Sequence, residues 1–283
     1  MKHLPLVMGA DSSLFAMAVG ELGTEVSLGI VLLLTTAMAE SPIGLTMARS
    51  LAGHGWATLV VDAPGFGLSQ GIEPGPDQPT TALEQACTAL LDSGAERVAI
   101  VVRPDMLVPA LQLAIATEQV VGVAAVGLPM PKRSQKMAGK MTAVDYLRRG
   151  LRPSTLAGLA DRNRRRRYME LVRAKVASRV GRSRTPAVLD ALGHLRRNPA
   201  INEILDALDH GVRVSLLAGR DDRASRNIRE LRDALMGTDQ ETSLEIDFSY
   251  PGKVTSFQSI AAQQWFIETT SDWLGRLPAP STS

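Results

Sequence analysis

The stretch from Arg97 to Ala114 constrains the fold of this chain most. Val98–Val102 is an unbroken apolar run rich in β-branched residues, which suits a strand with both faces buried. Arg103, Pro104 and Asp105 interrupt the run. From Met106 the apolar residues recur at helical spacing, at Leu107, Ala110, Leu111 and Ala114. The expected unit is strand, sharp turn, helix. A strand with no polar alternation does not suit a sheet with one wet face, so helices are expected on both sides of it.

Related patterns run along the rest of the chain. Residues 3–8 and 12–18 read as two short strands around the turn signal Gly9-Ala10-Asp11. Leu28–Leu34 is a buried strand, Ile43–Ala52 an amphipathic helix closed by Gly53 and Gly55, and Trp56–Val61 the next strand. A helix over Thr80–Ser93 precedes the central unit, and a strand over Val120–Val126 follows it. Strands alternating with helices predict a parallel sheet with crossover connections. After Pro131 the pattern changes, and residues 132–199 read as helical and basic, with no strand signal. Strands resume at Val212–Leu217, with a helix near 224–236, an alternating edge strand at Leu244–Phe248, and a final helix over Ser256–Leu274. The expected organisation is a core in two pieces, 1–131 and 200–283, with a helical insertion at 132–199.

Charge separates the same segments. The formal net charge of the 283 residues is only +2, yet residues 148–197 carry 15 Lys or Arg against 3 Asp or Glu, while the remainder carries 16 against 26. A basic insertion in an acidic core can face an acidic polymer such as an anionic polysaccharide, lipid headgroups, nucleic acid, an acidic protein partner or a small molecule, or it can be a solvated helical face over the core's negative charge. Its only aromatics are Tyr146 and Tyr168, which argues against stacking on single-stranded nucleic acid. The single cysteine, Cys87, excludes an intrachain disulfide and reads as a packed helix residue. No secretory signal is read at the N-terminus, and Leu28–Leu34 is too short to span a membrane. A cytoplasmic protein without a metal or cofactor is expected.

This plan resembles an α/β-hydrolase: a mostly parallel sheet flanked by helices, with a helical basic cap inserted above the carboxyl ends of the strands. The resemblance implies a nucleophile at the turn after Val102, an acid after the strand at 212–217, and a histidine after the last strand. At the nucleophile position stands Pro104, which has neither a nucleophilic atom nor a backbone N–H. Val102 and Met106 occupy the places of the flanking glycines. Asp105 is one residue later and has two readings, an aspartate nucleophile or, the favoured one, a cap on the following helix. Gly219-Arg220-Asp221-Asp222 matches the acid position, with Asp222 the better spaced. None of the four histidines (His3, His54, His194, His210) follows residue 210, and the loop where one is expected offers Lys253 instead. The string Gly67-Leu68-Ser69-Gln70-Gly71 has the nucleophile motif in the wrong context, a loop that leads into no helix, so Ser69 reads as structural. The oxyanion loop, Thr35-Thr36-Ala37-Met38, carries no glycine.

Several local stretches resemble one family in particular, exosortase A system-associated hydrolase 1. They are Met47–Ala52 running into Gly55, Asp62 through Gly71, the turn at 103–105, and Val144–Leu151 at the start of the insertion. In that family the turn reads roughly Gly-Leu-Cys-Asp-Ala-Ala-Ser, which puts the family's cysteine on Pro104 and its aspartate on Asp105. The resemblance implies a setting in exopolysaccharide production or export. Two functions follow from it. One is a catalytically degenerate hydrolase fold that acts by binding. The other is an active ester or thioester hydrolase with a rearranged set, Asp105, Asp222 and Lys253.

Overall fold

The computed structural model describes residues 3–8, 14–20, 27–34, 43–62, 65–70, 80–129, 198–254, 257 and 259–277. The chain separates into two units, Met1–Pro129 with Leu195–Ser283, and Met130–His194. The second unit, and with it nearly all of the insertion expected at 132–199, lies outside the described residues. So do the turn at 9–11 and the oxyanion loop at 35–38.

The first unit is built on an eight-stranded sheet. Its elements, in chain order, are β1 (His3–Met8), β2 (Leu14–Val19), β3 (Gly29–Leu33), α1 (Ile43–Ala52), β4 (Ala57–Val61), α2 (Thr80–Asp92), β5 (Val98–Val102), α3 (Leu107–Ala116), β6 (Val120–Val126), α4 (Pro199–Asp209), β7 (Arg213–Leu217), α5 (Ser225–Leu235), β8 (Leu244–Asp247) and α6 (Ile260–Gly275). The strand order is β1-β2-β4-β3-β5-β6-β7-β8. β2 runs antiparallel to both of its neighbours, and every other pairing is parallel. β8 closes one edge of the sheet, as its alternating sequence predicts.

Burial follows from the apolar runs. Every residue of β3, β4 and β5 is buried. Ile30 and Leu32 of β3 share a core cluster with Ile43, Met47 and Leu51 of α1 and with Phe266, Trp273 and Leu274 of α6. Gly29 faces the other way, where an added Cβ would lie 3.2 Å from Leu90 of α2. The helices therefore cover both faces, and α3 packs beside α4. Gly122 of β6 lies directly under α6: an added Cβ would stand 3.0 Å from both the Trp273 ring and Leu277. A side chain there would push α6 off the sheet.

The structure adds one element that the pattern did not mark, α4. It begins at Pro199, with Asn198 as its cap. The Asn198 side-chain oxygen accepts the Ala200 N–H at 3.2 Å, and its amide donates to the Pro129 carbonyl at 3.3 Å. One buried side chain thus joins the start of α4 to the segment that follows β6. The final helix starts later than expected, at Ile260, because Ser259 caps it by accepting the Ala262 N–H at 3.1 Å.

Cys87 is buried in α2. Burial, then the nearby Glu84 charge, pushes its thiol up from 9.0 to about 12. Alkylation by iodoacetamide at pH 8 is expected to be slow in the folded chain and fast in denaturant, since the thiolate is the nucleophile. The raised value also means that this group's contribution to stability is intact below pH 9.0 and is lost as pH rises towards about 12, because only the unfolded chain releases the proton. Gly122→Val is expected to destabilise the fold by roughly 1–3 kcal/mol through overpacking against Trp273, read from urea unfolding.

Candidate active site

The turn after β5 is the first test of the expected site. Arg103 is extended (φ −72°, ψ 162°), and Pro104 opens a single 3-10 turn over Pro104–Met106. The Arg103 N–H donates to the Leu33 carbonyl at the end of β3 at 3.0 Å. A proline ring holds φ near −65°, whereas a nucleophile elbow needs a strained corner that lifts its side chain above the sheet. Among the described residues the only non-glycine at positive φ is Phe257, at 48°. The turn after β5 is therefore relaxed.

Asp105 does not cap the helix. Neither the 3-10 turn nor α3 has a side-chain cap bond. The Asp105 carboxylate instead accepts Arg103 Nε on Oδ1 at 2.7 Å and Nη2 on Oδ2 at 2.5 Å. The expectation of a cap is corrected for a physical reason. A guanidinium two residues away offers two charge-assisted bonds in a planar fork, which outcompete one backbone N–H.

Asp222 has the opposite environment. It is 5% exposed, and its Oδ2 accepts the Gly219 N–H at 2.7 Å and the Val254 N–H at 3.1 Å. The loops after β7 and β8 are joined on either side of it. Ala218 N–H donates to the Asp247 carbonyl at 3.0 Å, Arg220 N–H to Tyr250 at 3.0 Å and Asp221 N–H to Gly252 at 3.3 Å. The contact is so close that a Cβ on Gly219 would stand 1.9 Å from the Gly252 carbonyl oxygen. Asp222 thus holds the position expected of the acid, and its carboxylate binds backbone.

The expected base position is divided between solvent and core. Lys253 is exposed and makes no hydrogen bond or ion pair among the described residues. Its neighbour Val254 is fully buried, and Phe257 packs its ring 5.0 Å from that of Phe266. The left-handed Phe257 backbone brings that side chain into the core cluster. Sequence reasoning missed this, since only a backbone angle reveals it. It also missed Arg103, although a cation two residues before an aspartate in a turn was the available signal.

The remaining candidates are occupied elsewhere. Ser69 is buried; its hydroxyl donates to the Asp62 carbonyl and accepts the Phe15 N–H, both at 2.9 Å. Asp62 in turn accepts the Leu68 N–H at 3.1 Å. Ser69 thus anchors its loop to β2. His54 stacks on Trp56 at 5.0 Å, and His210 bonds the Asp206 carbonyl at 2.7 Å. Both are exposed. No group of three His, Cys, Asp or Glu among the described residues could hold a metal ion.

Solved structures with the same architecture are numerous. The esterase Pf2001 of Pyrococcus furiosus superposes with a TM-score of 0.60 at 12% identity, over 98% of this chain and 93% of its own. The thioesterase domain from the curacin biosynthetic pathway gives 0.54 at 14% identity, over 95% and 99%. Alpha/beta hydrolase domain-containing protein 10 from mouse gives 0.50 at 17% identity, over 98% and 100%. The fold is that of the α/β-hydrolases. No family model and no curated protein sequence matches the chain. Within the α/β-hydrolase fold, the turn after β5 is the nucleophile's place and the loops after β7 and β8 are those of the acid and the base. Asp105 and Asp222 fall at two of these places and share no contact among the described residues.

The two aspartates should therefore respond differently to truncation. Asp222→Ala leaves two buried N–H groups without their acceptor and is expected to cost roughly 2–3 kcal/mol. Asp105→Ala removes an exposed ion pair and is expected to cost less than about 1 kcal/mol. Urea denaturation of both variants beside the parent checks the contrast.

Proposed function

We propose that this chain is a catalytically degenerate α/β-hydrolase that acts by binding, in exopolysaccharide production or export. The observation that carries the reading is the turn after β5. Pro104 has no atom that can attack a carbonyl and no N–H to donate, and the turn is relaxed. Two further features support it. The Asp222 carboxylate accepts backbone N–H groups, and Lys253 lies in solvent. A general base must lie within hydrogen-bond reach of the group it deprotonates, and no such relation joins Lys253 to Asp105 or Asp222 among the described residues. The exopolysaccharide setting rests on the family resemblance of residues 47–55, 62–71, 103–105 and 144–151.

In this reading residues 132–199 form a helical cap on a cytoplasmic protein. The 15 basic residues at 148–197 supply the field for an acidic polymer or protein. No helix among the described residues is long and apolar enough to cross a membrane.

The competing reading is an ester or thioester hydrolase using Asp105, Asp222 and Lys253, as the names of the esterase and thioesterase neighbours suggest for their own chains. Turnover of a short-chain p-nitrophenyl ester and acyl-thioester panel separates the two. The degenerate reading expects no rate above buffer for the parent and none that Asp105→Ala or Asp222→Ala changes. Turnover above background that both substitutions abolish, with Asp222→Ala still folded under assay conditions, would overturn it.

A further inference from the structure

We infer that Arg103 is a carboxylate-binding group, held in position by Asp105, at the carboxyl edge of the sheet. The inference rests on the binding reading above and supplies its ligand class.

A guanidinium presents two edges that can each hold an acceptor bidentately. Asp105 occupies one of them, the side edge formed by Nε and Nη2. The end edge, formed by Nη1 and the second N–H of Nη2, has no hydrogen-bond partner among the described residues. The Arg103 side chain is 26% exposed, so solvent reaches it, and Asp105 is 58% exposed. An exposed ion pair contributes little to stability, and Asp105 forms no helix cap. What the pair does accomplish is orientation: two bonds fix the plane of a side chain that is otherwise free to rotate.

The place matters as much as the geometry. The Arg103 N–H is bonded to the end of β3, and β5 lies between β3 and β6 in mid-sheet. Open α/β sheets bind ligands outside the carboxyl ends of their strands. At this turn the fold family stations its reacting group, and here the chain provides an oriented cation beside Pro104.

Charge selects the ligand. Arg103 and Asp105 together are neutral, so a monoanion adds one negative charge to the pair and a phosphate dianion adds two. Asp105 opposes the second charge at short range. A planar carboxylate also matches the fork of the end edge. The ligand class is therefore a carboxylate, carried by a small acid or by an acidic sugar unit.

The test is a titration of the full-length, 15N-labelled chain with sodium acetate, sodium glucuronate and inorganic phosphate at constant ionic strength. Arg side-chain Nε signals and the backbone amides of residues 103, 105 and 106 are followed by NMR. Saturable shifts are expected with both carboxylates, and weaker ones with phosphate. Arg103→Lys keeps the charge and loses the fork, and it is expected to weaken carboxylate binding about tenfold. Arg103→Gln provides a second variant, and the thermal midpoint of each confirms that it is folded. Asp105→Asn removes the opposing charge, and phosphate is then expected to bind at least as well as acetate. The inference is overturned by carboxylate shifts that do not saturate, by binding that Arg103→Lys leaves unchanged, or by a preference of the parent for phosphate. Failure here is distinct from failure of the degenerate reading, which only ester or thioester turnover would bring about.

Discussion

A parallel sheet has to be covered on both faces, and most of this structure follows from that requirement. β3, β4 and β5 have no polar face to offer water, so α1 and α6 close one side while α2, α3 and α4 close the other. Covering both faces leaves only the strand ends accessible in the middle of the sheet. Loops at those ends are where polar side chains can meet a ligand without disrupting the core.

At the ends of β7 and β8 the governing problem is backbone polarity. Two loops that leave adjacent strands side by side must satisfy their N–H and C=O groups. They do so by bonding to one another at Ala218, Arg220 and Asp221, with Asp222 accepting from Gly219 and Val254. The glycine at 219 is required because the Gly252 carbonyl occupies the space of a side chain. Asp222 is thus the staple of this junction, whatever chemistry the position serves in related folds. Ser69 has the same character on the other side of the sheet, where a serine inside a nucleophile-like motif joins a loop to β2.

Asp105 and Asp222 look equivalent as letters, since each follows a buried strand in a short polar loop. Their surroundings separate them. Arg103 is close enough in sequence to take the Asp105 carboxylate into a two-residue ion pair. Asp222 is buried, and its Oδ2 accepts the N–H of Gly219, three residues away, and of Val254, 32 residues away in the chain. Exposure decides what each can do: a solvated pair can orient towards a ligand at little energetic cost, whereas a buried, bonded carboxylate is committed to the fold.

The sequence by itself determined the sheet, its covering helices and their order, because apolar runs and helical spacing are local patterns that burial enforces. Val98–Val102 and Ile43–Ala52 appear in the structure with the bounds their composition predicts. That a proline, Pro104, stands in the turn after β5 was equally legible, since it is a matter of residue identity. Helix α4 is less legible because its cue, Asn198 before Pro199, follows a long basic stretch without a clear change of period. Three features were decided only by the tertiary structure: the partner of Asp105, the commitment of Asp222 to Gly219 and Val254, and the left-handed turn that sends Phe257 into the core. Each depends on which donor or apolar surface reaches a side chain once the strands are aligned, and that is set by register and packing across the sheet, which no local spacing records.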